Sequence, residues 1–419
     1  MNTLKKNLTH TKPLILAVDT SCDDTSVSVV SGTVVLSNVI ASQTQLHKQY
    51  GGVFPTVAKQ AHTQNIMPTI AAALQRAQAS WNSITALAVT VGPGLAPALE
   101  VGITTIKKLS QERKLPIIAV NHIEGHALSA IAQSNHKSEK QKNKQLELLA
   151  TSQVQNANQK LHKKIAQTIQ YPVLSVVVSG GHTEFIYFEA IGSYTILGAT
   201  IDDAAGECLD KIGRMLHLGY PAGPVIETFA KLGNPKAVEF PLPMTAIKTY
   251  DMSFSGLKTF ARNYIQKRTE TEPLKKQEIY DFCASAQYSV FRHINYKLNK
   301  LLENVKIGEV WLGGGVAQNT YLRQTIRETI KRFEKNKNKP IGTTKTEKKT
   351  SSTAEKTTKV SKVIPTKKII FRYPYTRKLC MDNAAMIGLV ASFKLERGEF
   401  VTDTETIDRR PRWKVGEAL

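Results

Sequence analysis

Cysteine is scarce in this sequence, and the four that occur include no C-x-x-C pair. Their wide spacing excludes a disulfide scaffold and a cysteine-rich zinc site, and it indicates a reducing compartment. No apolar run approaches the roughly 18 residues of a membrane-spanning helix, so we expect no membrane contact. The first dozen residues are polar and basic without the apolar core of a secretory signal. These absences predict a cytoplasmic protein.

Acidic residues are also under-represented, with 34 Asp and Glu against 56 Lys and Arg, and the formal net charge is +22. Two segments hold +15 of this charge: residues 131–170 contain seven Lys and two Glu, and residues 331–368 contain thirteen basic residues and three Glu. Residues 335–362 are mostly Lys, Thr and Ser and cannot bury enough apolar surface to order themselves. The simplest interpretation of this stretch is a solvated loop, and the alternative is a tail that binds a polyanion.

Outside these segments one pattern occurs twice, namely three apolar strands followed by alternating helices and strands. Such a pattern predicts two related α/β domains around a ligand cleft. We expect a first domain over residues 13–130, a basic insertion over 131–170, a second domain over 171–331, a Lys/Thr-rich insertion over 332–366 and the end of the core over 367–410. The predicted strands cover residues 14–18, 26–30, 33–40, 86–91, 117–120, 173–178, 184–189, 194–197, 309–312 and 369–372. The predicted helices cover residues 57–77, 98–109, 203–218, 279–302, 319–331 and 382–394, besides one that carries NHIEGH.

Three turns indicate a nucleotide site. The segments ILAVDTSCDDTSVSVV and VLSVVVSGGHTEFIYF open the two halves, and each places small or polar residues where backbone N–H groups can approach a phosphate. A third turn, WLGGGVAQNTYLR, ends a strand and opens a helix, so its backbone can lie against a base or ribose. None of them is a Walker A loop or a GxGxxG fingerprint. Taken together they predict an adenine-nucleotide site, although each alone could be an ordinary turn.

The segment NHIEGH places His122 and His126 four residues apart, one above the other on a helix. Two such imidazoles can chelate a divalent metal if a third ligand comes from elsewhere. The alternative is a polar core feature or a surface coincidence. Glu124 is one position too late for the H-E-x-x-H motif and points off the chelating face, which argues against a metalloprotease.

These segments, with GPGL, IDDAAGECLDKIGRMLHLGYPAGP, SFSGLKT and CMDNAAMIG, together resemble the bacterial type of the TsaD family. The resemblance covers nearly the whole chain except the two insertions and the termini. Members are tRNA N6-adenosine threonylcarbamoyltransferases, once described as O-sialoglycoprotein endopeptidases. The resemblance implies an actin-like (ASKHA) ATPase fold with two duplicated RNase H-like α/β domains around a nucleotide cleft. It also implies an acyltransferase that moves the threonylcarbamoyl group from threonylcarbamoyl-AMP to N6 of the adenosine 3′ of the anticodon, in tRNAs reading ANN codons.

The resemblance further implies site residues and partners. His122, His126 and Asp382 would hold one Fe(2+) per chain, with zinc or manganese as laboratory substitutes. Helix 382–397 would pack back on the first domain and bring Asp382 across the cleft. The family's contacts to the adenine nucleotide or threonylcarbamoyl-AMP fall on Val177, Val178, Ser179, Gly180, Gly181, Asp210, Gly223 and Asn319. The expected partners are tRNA, the paralogue TsaB and the ATPase TsaE.

Asp23 is our candidate to accept the amine proton, with ordering of the hairpin as the alternative role. The chain departs from the family pattern at Asp19 and Asp24, where glutamates are usual, at Thr56, where an acid is usual, and at Pro97, where Gly is usual. Two other functions compete with acyl transfer: a kinase or chaperone-type ATPase, which needs no metal triad, and a nucleotide-binding scaffold with a structural metal. An assay that distinguishes acyl transfer to tRNA from ATP hydrolysis alone would separate these three functions.

Overall fold

Two mixed β-sheets with helices packed on them form the part of the chain that the computed structural model describes, residues 13–48, 50, 52–135, 169–337 and 368–419. Most of the two basic segments predicted to be insertions lies outside these residues. The predicted domain boundaries therefore stay predictions.

The first sheet has six strands in the order β5-β4-β1-β2-β3-β6. β1, β2 and β3 form an antiparallel meander, and β4 and β5 extend it in parallel beside β1. β6, which the sequence did not predict, pairs in parallel with β3. The strands are β1 (Leu14–Asp19), β2 (Asp24–Ser31), β3 (Val34–Ser42), β4 (Ile84–Gly92), β5 (Ile117–Asn121) and β6 (Gln133–Ser134).

The second sheet has five strands in the order β11-β10-β7-β8-β9. Its first three strands are again an antiparallel meander, and the last two again extend it in parallel. This is the order of the first five strands of the other sheet, so the repeated pattern in the sequence is a repeated topology. The strands are β7 (Val173–Val178), β8 (Thr183–Ala190), β9 (Ser193–Ala199), β10 (Glu309–Gly313) and β11 (Ile370–Arg372).

Ten α-helices occur in the described residues, and none of them is long and apolar enough to cross a membrane. They are α1 (Thr44–Lys48), α2 (Pro55–Ala77), α3 (Ala96–Arg113), α4 (His122–Leu128), α5 (Ala205–Met215), α6 (Gly223–Ala230), α7 (Ser255–Arg268), α8 (Lys276–Asn304), α9 (Thr320–Lys337) and α10 (Ala384–Glu396).

Helices α1, α6 and α7 were not predicted, and α9 continues six residues beyond its predicted end. The start of α7 shows why such a helix is hard to find, because its cap is remote in sequence. Oδ1 of Asp202 accepts hydrogen bonds from the backbone N–H groups of Phe254 (2.8 Å) and Ser255 (3.2 Å). A side chain about fifty residues away thus does what a local N-cap residue usually does.

The central strands are buried on both faces, and β1 and β7 have the nearly continuous apolar sequences that such burial favours. All eight residues of β2 and all six of β7 are buried. Strand β9, at the sheet edge, alternates between exposed and partly buried residues. The longest apolar runs therefore mark the middle of each sheet.

Each half contributes a helix to the other half's sheet. Helix α4, from the first half, packs on β7 and β10, whereas α10, near the C-terminus, packs on β1 and β2. One apolar core accordingly contains Ile15, Val177, Trp311 and Met386, residues from both halves. This reciprocal packing fixes the ends of α4 and α10 next to each other.

Candidate metal centre and nucleotide-facing turns

The candidate metal ligands come from the two helices that cross between the halves. Asn121, the last residue of β5, caps α4 by accepting hydrogen bonds at Oδ1 from the N–H groups of Ile123 (2.9 Å) and Glu124 (3.2 Å). His122 is therefore the first residue of α4, and His126 lies one turn later. Asp382 lies two residues before the start of α10. The sequence predicted the histidine pair from its spacing, and Asp382 from the family resemblance.

The three side chains meet. Oδ1 of Asp382 lies 3.1 Å from Nε2 of His126 and 3.4 Å from Nε2 of His122. Each of the three residues offers one potential ligand atom, and these atoms lie within 4.8 Å of one another. Both imidazoles are buried, while about a third of the Asp382 side chain is exposed.

This donor set fits a divalent cation. Two neutral imidazoles and one carboxylate suit zinc or iron(II), and iron(II) is frequently held by two histidines and one carboxylate with open positions. Nε2 of both histidines and Oδ1 of Asp382 converge, whereas Nδ1 of His126, on the other side of its ring, is buried without a hydrogen-bond partner in the described residues. The convergence of three such donor atoms is the arrangement expected of a metal centre.

A second carboxylate holds the other side of His122. Oδ2 of Asp19 lies 3.4 Å from Nδ1 of His122, and Oγ of Ser21 lies 3.1 Å from the same nitrogen. Metal-binding histidines usually donate their second N–H to such an acceptor, which fixes the tautomer and the ring orientation. Asp19 and Ser21 thus occupy the outer-shell position of this centre, and sequence analysis did not assign them that role.

The protonation states within the triad depend on one another. Burial alone lowers the pKa of His122, but Asp19 and Asp382 outweigh it and raise this pKa to about 10. Burial lowers the pKa of His126, so one imidazole is charged and the other is neutral. Burial alone would raise the pKa of Asp382, but His122 and His126 hold it well below its usual range. A bound cation would take the place of the proton on His122.

Two acidic residues of the hairpin between β1 and β2, Asp23 and Asp24, have pKa values that burial raises and that the charge of Asp382 helps to raise. Burial, followed by repulsion from Asp382, raises the pKa of Asp23, so Asp23 lies close enough to the triad to sense its charge. Burial raises the pKa of Asp24 to about 6, while Oδ1 of Asp24 accepts a hydrogen bond from the N–H of Gln43 (3.3 Å). Asp23 is thus the hairpin carboxyl available at the site, and its catalytic role stays a prediction.

The predicted substrate-binding segment ends β7 and forms the turn to β8. Val177 and Val178 are buried strand residues, and Oγ of Ser179 accepts hydrogen bonds from the N–H groups of Gly181 (3.3 Å) and His182 (3.0 Å). Gly180 and Gly181 are exposed, and a Cβ added at either would meet nothing within 4 Å. The turn therefore presents bare backbone to a ligand.

The GGG turn packs directly behind this backbone. Gly314 has a φ of +88°, and a Cβ there would lie 2.3 Å from the carbonyl oxygen of Val178. Gly206, at the start of α5, approaches the carbonyl of Ser179 equally closely, since its Cβ would lie 2.6 Å from that oxygen. Glycine is needed at both positions, because any side chain would collide with these carbonyl groups. The GGG turn and the start of α5 therefore pack directly against the SGG turn.

Asp210 lies one helical turn after Gly206 on α5 and reaches the start of α6. Its Oδ1 accepts hydrogen bonds from the N–H groups of Ala222 (2.8 Å) and Gly223 (3.0 Å). A Cβ on Gly223 would lie 3.9 Å from this oxygen, so the space above the glycine is open. These bonds occupy Oδ1 and fix the carboxyl group at the start of α6.

Both polar atoms of the Asn319 side chain form hydrogen bonds within the protein. Its Oδ1 accepts a hydrogen bond from the N–H of Leu322 (3.1 Å) and so caps α9. Its Nδ2 donates to Oε1 of Gln287 (2.7 Å). These two bonds leave at most one amide hydrogen of Asn319 for a ligand, and its predicted contact with a nucleotide stays a prediction.

His182 is a site residue that sequence analysis quoted within SGGHTEF but did not single out. Burial, followed by the charges of His122 and His126, lowers the pKa of His182 to about 4. The ring therefore lies near the triad and is neutral at physiological pH. In the sequence, the feature that could have indicated this position is a histidine directly after two glycines.

The remaining sequence features have plain structural explanations. Glu124 points away from the triad as predicted, with its Oε2 3.8 Å from Nζ of Lys394. Thr56 is exposed in the first turn of α2. Pro97 lies in the first turn of α3, where a missing N–H breaks no helical hydrogen bond.

Fold and site together define an actin-like α/β protein with a candidate metal centre where its two halves meet. Among solved structures, HypF from T. kodakarensis aligns with a TM-score of 0.52 at 13% identity, over 93% of this chain and 48% of that one. This likeness concerns the fold.

The chain belongs to the TsaD family, tRNA N6-adenosine threonylcarbamoyltransferase, whose family model matches residues 34–141 and 145–339. A relative of that description from Riemerella anatipestifer is 35% identical over 398 residues, which is 95% of this chain and 97% of the relative. Another, from Clostridium beijerinckii, is 36% identical over 409 residues, covering 97% of this chain and 99% of the relative. The predicted family is confirmed.

Proposed function

We propose that His122, His126 and Asp382 form the reaction centre for transfer of the threonylcarbamoyl group from threonylcarbamoyl-AMP to N6 of the adenosine 3′ of the anticodon, in tRNAs reading ANN codons. One observation carries this assignment: three potential metal ligands from opposite halves meet, and His182, in the turn of bare backbone, is close enough for the charges of His122 and His126 to lower its pKa. A divalent ion, when bound, supplies a Lewis acid that polarises the acyl carbonyl. The donor set supports Fe(2+), one per chain, with zinc or manganese as substitutes in vitro.

The SGG turn and Asp210 hold the adenylate in this proposal. The backbone N–H of Gly180 can approach the phosphate without a side chain in the way, whereas the N–H of Gly181 is directed to Oγ of Ser179. Oδ2 of Asp210 can accept a hydrogen bond from a ribose hydroxyl, because Oδ1 is occupied by Ala222 and Gly223. Asn319 contributes its one remaining amide hydrogen. Titration calorimetry with AMP should show weaker binding by both the Asp210→Asn and the Asn319→Ala variants, and equal affinities would remove these residues from the site.

In this proposal Asp23 accepts the proton that the N6 amine loses. The N6 amine attacks the carbonyl carbon of the mixed anhydride, a C–N bond forms, and the C–O bond to the phosphate breaks to release AMP. The amine loses one proton, and a carboxyl with a raised pKa next to Asp382 is suited to accept it. The alternative role of Asp23, ordering the hairpin, predicts loss of stability rather than loss of rate in an Asp23→Asn variant.

The expected helpers are the paralogue TsaB and the ATPase TsaE, in the cytoplasm. Support for them comes from membership of the family and from the sequence resemblance to its bacterial type. The functional assay therefore includes both proteins and compares activity with and without each.

Mass spectrometry of nucleosides tests the function. tRNA is incubated with the metal-loaded chain, threonylcarbamoyl-AMP and the two helpers, and the modified adenosine is quantified. A variant carrying His122→Ala with His126→Ala should lose both bound metal and product while keeping its fold, as judged by circular dichroism. ATP hydrolysis without modified nucleoside would favour a kinase-like or chaperone-like ATPase. Full transfer by the double variant would make the metal structural or absent.

A further inference from the structure

Aromatic residues occupy alternate positions along the edge strand β11 and beyond it, at Phe371, Tyr373 and Tyr375. The rings of Phe371 and Tyr373 are neighbours, with centroids 5.5 Å apart. Arg323 of α9 lies over Tyr373, and Arg327 lies over Phe371, with guanidinium carbons 4.4 and 5.7 Å from the ring centres. Two stacked cation–aromatic pairs therefore lie side by side at the edge of the second sheet.

Cationic side chains continue beyond these pairs. Arg377 and Lys378 are exposed, and so is about 45% of Tyr375. Within the described residues none of Arg323, Arg327, Arg377 and Lys378 forms an ion pair with a carboxylate. We call the set of these four cations and three aromatic residues the edge stripe.

The edge stripe lies close in the chain to the candidate metal ligand Asp382. Nη2 of Arg323 lies 3.5 Å from Sγ of Cys380, two residues before the ligand Asp382. Arg377 is five residues before Asp382, a length of chain that spans at most about 17 Å when fully extended. Part of that length is a 3₁₀-helix, so the true separation is shorter. The stripe therefore lies within a few nucleotides of an adenosine bound at the triad.

We propose that the edge stripe binds the anticodon stem-loop of the substrate RNA, with phosphates on its guanidinium and ammonium groups and an unstacked loop base on Tyr375. This inference rests on the proposed function, which places the target adenosine in that loop. Single-stranded loops are recognised by aromatic stacking and by Arg or Lys contacts to the backbone, and the stripe offers both. An acidic protein partner would account for the cations but not for an exposed aromatic residue between them beside the reaction centre.

Two sets of variants test the proposal in the full-length chain. Arg377→Gln with Lys378→Gln removes two exposed cations, and Arg262→Gln with Lys267→Gln on α7 removes the same charge from exposed positions elsewhere. Filter binding of an isolated anticodon stem-loop RNA is measured across a salt series. Relative to the control, the stripe variant should bind at least fivefold more weakly at low salt. Its plot of log affinity against log salt should be shallower by about 0.7–0.9 for each lost phosphate contact.

The stacking contact has its own pair of variants. Tyr375→Leu should weaken stem-loop binding by at least about fivefold without changing the salt slope, whereas Tyr375→Phe should retain binding. Equal affinities and slopes for the stripe and control variants would overturn the proposal. Unchanged stem-loop binding with loss of transfer only in the presence of the helpers would also overturn it, in favour of protein docking. Absence of modified nucleoside with the wild-type chain would instead refute the proposed function, because the binding assay does not depend on transfer.

Discussion

Replacing Asp19 with Asn tests whether the outer carboxylate prepares His122 to bind metal. Oδ2 of Asp19 is buried, has no other hydrogen-bond partner in the described residues, and lies 3.4 Å from Nδ1 of His122. When a metal replaces the proton on Nε2, a carboxylate, which can only accept a hydrogen bond, keeps the remaining proton of His122 on Nδ1. An amide can donate instead, which favours the tautomer whose Nε2 carries the proton and cannot bind a metal.

The structure sets the size of the expected effect. Loss of such an outer contact typically lowers metal affinity by about 10–100-fold, which corresponds to roughly 1.4–2.8 kcal/mol. Oγ of Ser21, 3.1 Å from the same nitrogen, can still accept a hydrogen bond after Asp19 is changed. We therefore expect Asp19→Asn alone to weaken zinc binding about tenfold. Adding Ser21→Ala should bring the loss toward about a hundredfold.

Calorimetric titration of the chelator-stripped chain with zinc measures this affinity, and NMR of ¹⁵N-labelled histidine reports the tautomer of His122. Asp281→Asn is a matched control, because Asp281 is a hydrogen-bonded acid on α8 whose recorded partners are Asn234 and Gln277. It should leave the zinc affinity unchanged. Equal affinity of wild type and Asp19→Asn, with Nδ1 protonated in both, would refute the reasoning.

Three further predictions concern the turns, a buried acid and the charged insertion. Gly314→Ala should lower the free energy of unfolding by roughly 1–3 kcal/mol through its positive φ and the contact with Val178, whereas Gly315→Ala, with nothing within 4 Å, should change it little. Equal effects of the two in urea unfolding would contradict this. Burial raises the pKa of Glu184 to about 7, so the folded chain keeps a proton that the unfolded chain releases near pH 4.3. Stability should therefore fall as the pH rises from about 4.3 to about 7, by at most roughly 4 kcal/mol, and Glu184→Gln should remove this part of the decline. Parallel pH series of the two proteins would contradict this. Deleting residues 338–362, after the end of α9, should weaken tRNA binding most at low salt and leave turnover at saturating tRNA unchanged; an unchanged affinity would indicate a solvated loop.

Local periodicity made much of this molecule predictable. The 3.6-residue repeat of an α-helix brings His122 and His126 together whatever the rest of the chain does. Continuous apolar runs located the central strands, and their repetition predicted two sheets of the same topology. Asp382 is different, because it is 256 residues from His126 and only the family motif indicated it.

The parts that sequence analysis missed depend on contacts between distant segments. Asp19 and Ser21 become outer-shell residues only because the hairpin folds against the start of α4, about a hundred residues later in the chain. The helix that begins at Ser255 is capped by Asp202, and the available hydrogen-bonding atoms of Asn319 are reduced by Gln287. No local sequence pattern indicates such pairings, and the resemblance that assigned Asn319 to the nucleotide site does not indicate its hydrogen bond to Gln287.

The exchange of α4 and α10 between the halves has a consequence for the order of folding. Oγ of Ser26, in the second strand of the chain, accepts a hydrogen bond from the N–H of Ala384, 358 residues later. The first sheet therefore cannot cover its inner face until nearly the whole polypeptide has left the ribosome, although domains usually fold in order during synthesis. Such long-range contacts slow folding and leave apolar strands uncovered for longer. Synthesis of this protein thus includes a period in which its first half depends on protection from aggregation, and truncation near the C-terminus would prolong that period indefinitely.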